Sequence, residues 1–155
     1  MEKIHVLLVE DNPGDAELTR QALESSKLAV SLITLDDGEK ALKYLKREAP
    51  YRDAPTPDLV LLDLNLPKVS GEEVLREIKA DRDLKSLPVV ILTSSDAESE
   101  VTRCYAEGAN CYVVKPVDFS SFMEIVASIE QFWFSVVKLS GRKAGDAGKK
   151  GGRGR

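Results

Sequence analysis

Five short runs of aliphatic and β-branched residues punctuate the chain: KIHVLLV (3–9), VSLITL (30–35), DLVLLD (58–63), PVVILT (88–93) and CYVV (111–114). They are apolar on both faces rather than alternating, which suits parallel strands covered on both sides. Helix-length amphipathic segments with readable starts lie between them. Asn12 can cap a helix that has Pro13 at its first position. Ser70 with Glu73, and Ser95 with Glu98, have capping-box spacing, and Asp118 can cap the last helix. Five strand–helix units in alternation predict an α/β fold, (βα)5, with a doubly wound, five-stranded parallel sheet.

Two segments stand out from this rhythm. The link EAPYRDAPTP (48–57) is long for a helix-to-strand connection, and its prolines, Pro50, Pro55 and Pro57, predict an ordered, extended loop. The last helix, read over 118–138, carries an apolar stripe through Phe122, Ile125, Val126, Ile129, Phe132, Trp133, Val136 and Val137. At 1.5 Å per residue it would span about 31 Å, against about 20 Å for a six-residue strand. Its aromatic end, Phe132, Trp133 and Phe134, is therefore expected to overhang the sheet and to seek a partner. With Phe119, these residues are the candidates for a homodimer interface built on the last helix.

Length and composition narrow the class. The chain has 155 residues, 43% of them apolar and 31% charged, as in one soluble domain. Cys104 and Cys111 are too few for a disulfide framework and lack zinc-site partners, so packing roles in a reduced, cytoplasmic protein are expected. No stretch has the length of a membrane span or a signal peptide, and membrane partners are not expected. The net charge of −4 hides an asymmetry. From Lys138 onward there are seven Lys or Arg and one Asp; the rest of the chain holds 15 basic and 25 acidic residues. The reading is a folded unit over 1–138 and a flexible, glycine-rich basic tail over 139–155. Nucleic-acid binding is expected only if that tail provides it. His5, the single histidine, falls inside the first strand and reads as an ordinary strand residue.

Chemistry enters where the strands stop. Ligands of open α/β sheets bind beyond the carboxyl ends of the strands. The first strand ends in Glu10 and Asp11, the third in Asp63 and the fourth in Thr93, and the fifth runs into Lys115. If the first and third strands are neighbours, three carboxylates converge, and they can stay ionised together only with a cation. Hard oxygen donors without imidazole or thiolate favour Mg²⁺. Lys115 and the Thr93 hydroxyl suit a phosphoryl group, and a central carboxylate can itself be the nucleophile that accepts it.

VLLVEDN, LVLLDLNLP, VVILTSS and YVVKP resemble the receiver domains of two-component response regulators, over residues 3 to about 138. The resemblance implies a flavodoxin-like sheet of order 2-1-3-4-5 and phosphorylation of Asp63 by a sensor histidine kinase. It implies Mg²⁺ held by Glu10, Asp11, Asp63 and the backbone carbonyl of Asn65. Glu10 stands where many relatives have Asp. Thr93 and Lys115 would bind the phosphoryl group, with a cis bond between Lys115 and Pro116. Thr93 and Tyr112 would form the conformational switch, and Asn65 and Ser95 would tune the lifetime of the phosphoryl group. Association through the fourth helix, fifth strand and fifth helix fits the dimer expectation. The 48–57 loop, NCYVVKPVDF and FWFSVVKL look most like single-domain regulators paired with phytochrome-type kinases. Such a protein catalyses only its own phosphorylation and dephosphorylation.

Two other classes fit these residues less well. A Mg²⁺-dependent aspartyl phosphohydrolase usually has a second acid two residues after the nucleophile, where this chain has Asn65, which cannot supply the proton. A phosphate-independent scaffold of the same fold would have no need for the intact set Glu10, Asp11, Asp63, Thr93 and Lys115.

Overall fold

A computed structural model describes residues 3–25 and 29–133. The order is β1 (Ile4–Val9), α1 (Pro13–Glu24), β2 (Val30–Leu35), α2 (Gly38–Leu45), β3 (Leu59–Leu62), α3 (Gly71–Ala80), β4 (Val89–Thr93), α4 (Glu98–Ala106), β5 (Cys111–Val114) and α5 (Phe119–Gln131). The strands form one parallel sheet of order β2-β1-β3-β4-β5, as the sequence led us to expect. No helix among the described residues is long and apolar enough to cross a membrane.

Strand alternation divides the apolar runs between two cores. Val6, Leu8, Leu59, Leu61, Val90 and Leu92 face α1 and α5, where they meet Ala22, Leu23, Phe122, Val126 and Ile129. Leu7, Val9, Val60, Leu62, Val89 and Ile91 face the other way, onto Ala41, Tyr44, Val74, Leu75, Ile78 and Cys104. Every residue of β3 is buried, as a strand central to a two-sided sheet requires. Truncating one of them, as in Leu61→Ala, costs about 2–5 kcal/mol. Both cysteines serve these cores, and burial pushes the Cys104 thiol up to about 11, which leaves it unreactive.

Most helix starts follow the capping signals. Asn12 accepts from Asp15 N at 3.0 Å, Ser70 from Glu73 N at 3.2 Å and Asp118 from Ser121 N at 2.9 Å. The expected box of Ser95 with Glu98 does not form. Ala97 is the N-cap of α4 and offers no side-chain bond. Ser95 lies two residues ahead of it, so its hydroxyl accepts from Ala97 N at 3.4 Å and bonds Glu100, building the turn instead of capping the helix.

The 48–57 link is ordered, as its prolines suggest. Tyr51 packs edge-on against Tyr44 with ring centroids 5.5 Å apart, and Arg47 donates to Thr56 at 2.7 Å. Near the end of α5, Trp133 packs against the α1/α5 core while Phe132 is 51% exposed. Phe119 is exposed as well. Phe134, the last turn of the helix read to residue 138 and the tail over 139–155 lie outside the described residues.

Candidate functional site

Parallel register brings the strand ends to one rim. Asp63 N donates to Val9 O at 3.0 Å and Lys115 N to Thr93 O at 2.7 Å, so the ladders run on one residue into the polar groups. Helix α3 closes the floor beneath Asp63. Gly71 N donates to Leu64 O at 2.9 Å, and a Cβ on Gly71 would stand 2.0 Å from Asp63 O. Only a glycine permits that approach.

At the rim, Glu10, Asp11 and Asp63 each offer a carboxylate oxygen, all within 4.8 Å of one another. Glu10 and Asp63 are buried and Asp11 is exposed. The Lys115 ammonium sits among them, 2.6 Å from Glu10 Oε1 and 3.1 Å from Asp63 Oδ2. It also reaches Asp15 Oδ2, at 2.9 Å, a partner that the sequence reading missed. Thr93 is fully buried; it lies near enough to favour the charged form of Asp63, yet its hydroxyl makes no hydrogen bond of good geometry. An orphaned buried hydroxyl beside an acid is an open donor for an incoming oxygen.

The electrostatics divide the acids. Burial outweighs the pull of Lys115 and pushes the Glu10 carboxyl up to about 7. Burial also opposes ionisation of Asp63, but Glu10 and Lys115 together overcome it and hold its carboxyl below the usual range. Lys115 is itself desolvated, and its carboxylates raise it above an ordinary lysine. The site thus keeps an ionised Asp63 at its centre, the state a nucleophile needs. Three hard oxygen donors, a buried acid half-inclined to hold a proton and an open rim fit a divalent cation that retains water.

The other predicted residues fall around this centre. The Asn65 side chain is exposed, and its backbone N approaches Asp63 Oδ1 at 3.3 Å. Ser95 is half-buried on the β4–α4 turn. Tyr112 is half-buried too, and its hydroxyl donates to Ser95 O at 2.8 Å, which ties β5 to that turn. One expectation is corrected. Among the described residues the cis peptide bond is at Ala49–Pro50, not at Lys115–Pro116. The trans form is the favoured one by about 0.5–1 kcal/mol, and Lys115 makes its backbone bond and all three carboxylate contacts without leaving it.

A parallel sheet of this order, with an ionised aspartate, two further acids, a hydroxyl and a lysine on one rim, defines a class. The chain belongs to the response regulator receiver domain family, whose model matches residues 6–127. Among particular relatives it is 43% identical to response regulator Rcp1 of Synechocystis over 134 residues, 86% of this chain and 91% of that one. Its structure superposes on that of the phosphorylated cyanobacterial phytochrome response regulator RcpA with a TM-score of 0.88 at 43% identity, covering 90% of this chain and 99% of that one. The Mn²⁺-bound form of Rcp1 gives a TM-score of 0.85 at 43% identity, covering 88% and 98%.

Proposed function

We propose that this chain is a phytochrome-type response regulator whose Asp63 accepts a phosphoryl group from a sensor histidine kinase in the presence of Mg²⁺. The observation that carries this reading is the Asp63 carboxylate, 3.1 Å from Lys115 and grouped with Glu10 and Asp11. An Asp63 oxygen attacks phosphorus, the bond from phosphorus to the kinase imidazole breaks, and the imidazole nitrogen keeps the electron pair. Lys115 neutralises charge on the transferring oxygens, and Thr93 supplies the donor that is unspent at rest. When bound, Mg²⁺ would be held by Glu10, Asp11, Asp63 and the Asn65 carbonyl, and would neutralise charge on the same oxygens. The Mn²⁺-bound and phosphorylated relatives support this assignment by similarity. Asn65 and Ser95 flank the acceptor and would set how long the phosphoryl group lasts.

Signalling would run from Thr93 to Tyr112. Drawing the Thr93 hydroxyl toward a phosphoryl oxygen changes the packing next to a tyrosine that holds the β4–α4 turn at Ser95. The exposed Phe119 and Phe132 favour a homodimer on α5. The folded unit would span 1–138, with 139–155 as its basic tail. The deciding test is Asp63→Asn with a small phosphodonor and Mg²⁺. Acid-labile phosphate should appear on the parent protein and not on the variant, and equal labelling of both removes the assignment.

A further inference from the structure

Lys115 has more suitors than the phosphoacceptor reading uses. Its ammonium carries three N–H donors, and three carboxylates take them: Glu10 at 2.6 Å, Asp15 at 2.9 Å and Asp63 at 3.1 Å. The lysine side chain is only 7% exposed, so water has little access to replace a partner. Glu10 and Asp63 belong to the oxygen cluster that suits a divalent cation; Asp15 does not. A cation that engages Glu10 and Asp63 would compete with Lys115 for both, whereas Asp15 would keep its hold on the lysine.

Asp15 is fixed for this role. It lies in the first turn of α1, with its backbone N on Asn12 Oδ1 at 3.0 Å and its carbonyl accepting from the Thr19 hydroxyl at 2.8 Å. Its carboxylate takes no part in those bonds and is left for Lys115. Because Asp15 and Asp63 share one nitrogen, their oxygens are at most about 6 Å apart. At that range, around a desolvated group, an extra negative charge opposes the arrival of a phosphoryl group and holds back the cation meant to receive it.

Resting on the reading of Asp63 as phosphoacceptor, we propose that Asp15 is a positioning residue that restrains Lys115 and so slows phosphorylation of Asp63. Replacing its charge frees one lysine donor for the incoming phosphoryl oxygens. The substitution Asp15→Asn keeps the size of the side chain and leaves the backbone bonds of the helix start in place.

The test compares wild type, Asp15→Asn and Asp15→Glu, with phosphoramidate as donor, across Mg²⁺ concentrations and at about 0.1 and 0.5 M KCl. Asp15→Asn should raise the rate at saturating Mg²⁺ by roughly three- to tenfold, with half-saturation by Mg²⁺ moved less than twofold. The gain should persist at 0.5 M KCl, where screening extends only a few ångströms and removes mere steering of the donor. Asp15→Glu, which restores the acid, should return the rate toward wild type. In metal-free protein without donor, Lys115 should react faster with an amine-selective reagent in Asp15→Asn than in wild type, as mapped on peptides by mass spectrometry. An unchanged or lower rate in Asp15→Asn, a gain that vanishes at 0.5 M KCl, a gain matched by an equal shift in Mg²⁺ half-saturation, or unchanged reactivity of Lys115 would each overturn the proposal. Wild type that takes no label at all would instead overturn the phosphoacceptor reading on which it rests.

Discussion

Replacing Glu10 by Gln in metal-free protein should abolish one defined part of the pH dependence of stability. Burial raises this carboxyl from 4.5 to about 7 in the folded state, a change worth about 3 kcal/mol. The folded protein thus holds the Glu10 proton more tightly than the unfolded chain does. The stability from that proton is full below about pH 4.5 and is lost as pH rises through about 7. Gln is neutral throughout and mimics the protonated acid. The unfolding free energy of Glu10→Gln relative to wild type should therefore move in the variant's favour by about 3 kcal/mol between pH 4.5 and pH 8. For a chain of this length that is roughly 6–12 °C in Tm. Urea titrations followed by circular dichroism, in EDTA at half-unit pH steps, measure the difference, and shared titrations elsewhere cancel. Adding Mg²⁺ at pH 8, at a hundred times its dissociation constant, should return about 2.7 kcal/mol to wild type and much less to the variant. A difference that stays flat from pH 5 to 8 in EDTA would refute the reasoning, because it would mean that Lys115 at 2.6 Å fully offsets the burial of Glu10.

Further outcomes can be checked with the same preparations. Gly71→Ala forces a Cβ to within 2.0 Å of Asp63 O and 2.7 Å of Leu64 Cα, so it should cost about 1–3 kcal/mol or more in a thermal melt and reduce labelling of an intact Asp63. Tyr112→Phe removes the 2.8 Å bond to Ser95 O, should cost about 0.5–1.5 kcal/mol in urea, and should leave phosphate incorporation in place. Phe132→Asp places a charge on an exposed ring position and should leave the fold intact while weakening self-association in sedimentation. A dimer of unchanged strength rejects α5 as the interface.

The sheet could be read from the sequence because a two-sided parallel strand has to be apolar along its buried length, as β3 is throughout and β4 is up to Thr93. The acids at the strand ends were legible for the same reason: a polar residue that stops such a run has nowhere to go but the rim. Local rules also placed Asn12, Ser70 and Asp118. They misplaced the start of α4, since the sequence holds two serines before Glu98 and spacing does not reveal which turn forms first. Asp15 was missed because an acid in the first turn of a helix is explained by the helix dipole alone. Its meeting with Lys115 exists only after α1 and β5 have docked on the same sheet. The hydroxyl of Tyr112 reaching Ser95 O is equally tertiary.

Lys115 joins groups that stand 105, 100 and 52 positions away along the polypeptide. Contacts so distant in sequence are among the last to become available to a growing or refolding chain. Before the fifth strand is made, the acids of the first strand, the first helix and the third strand lack the ammonium that lies among them in the folded molecule. The rim is therefore whole only when nearly all of the described polypeptide is present to build it.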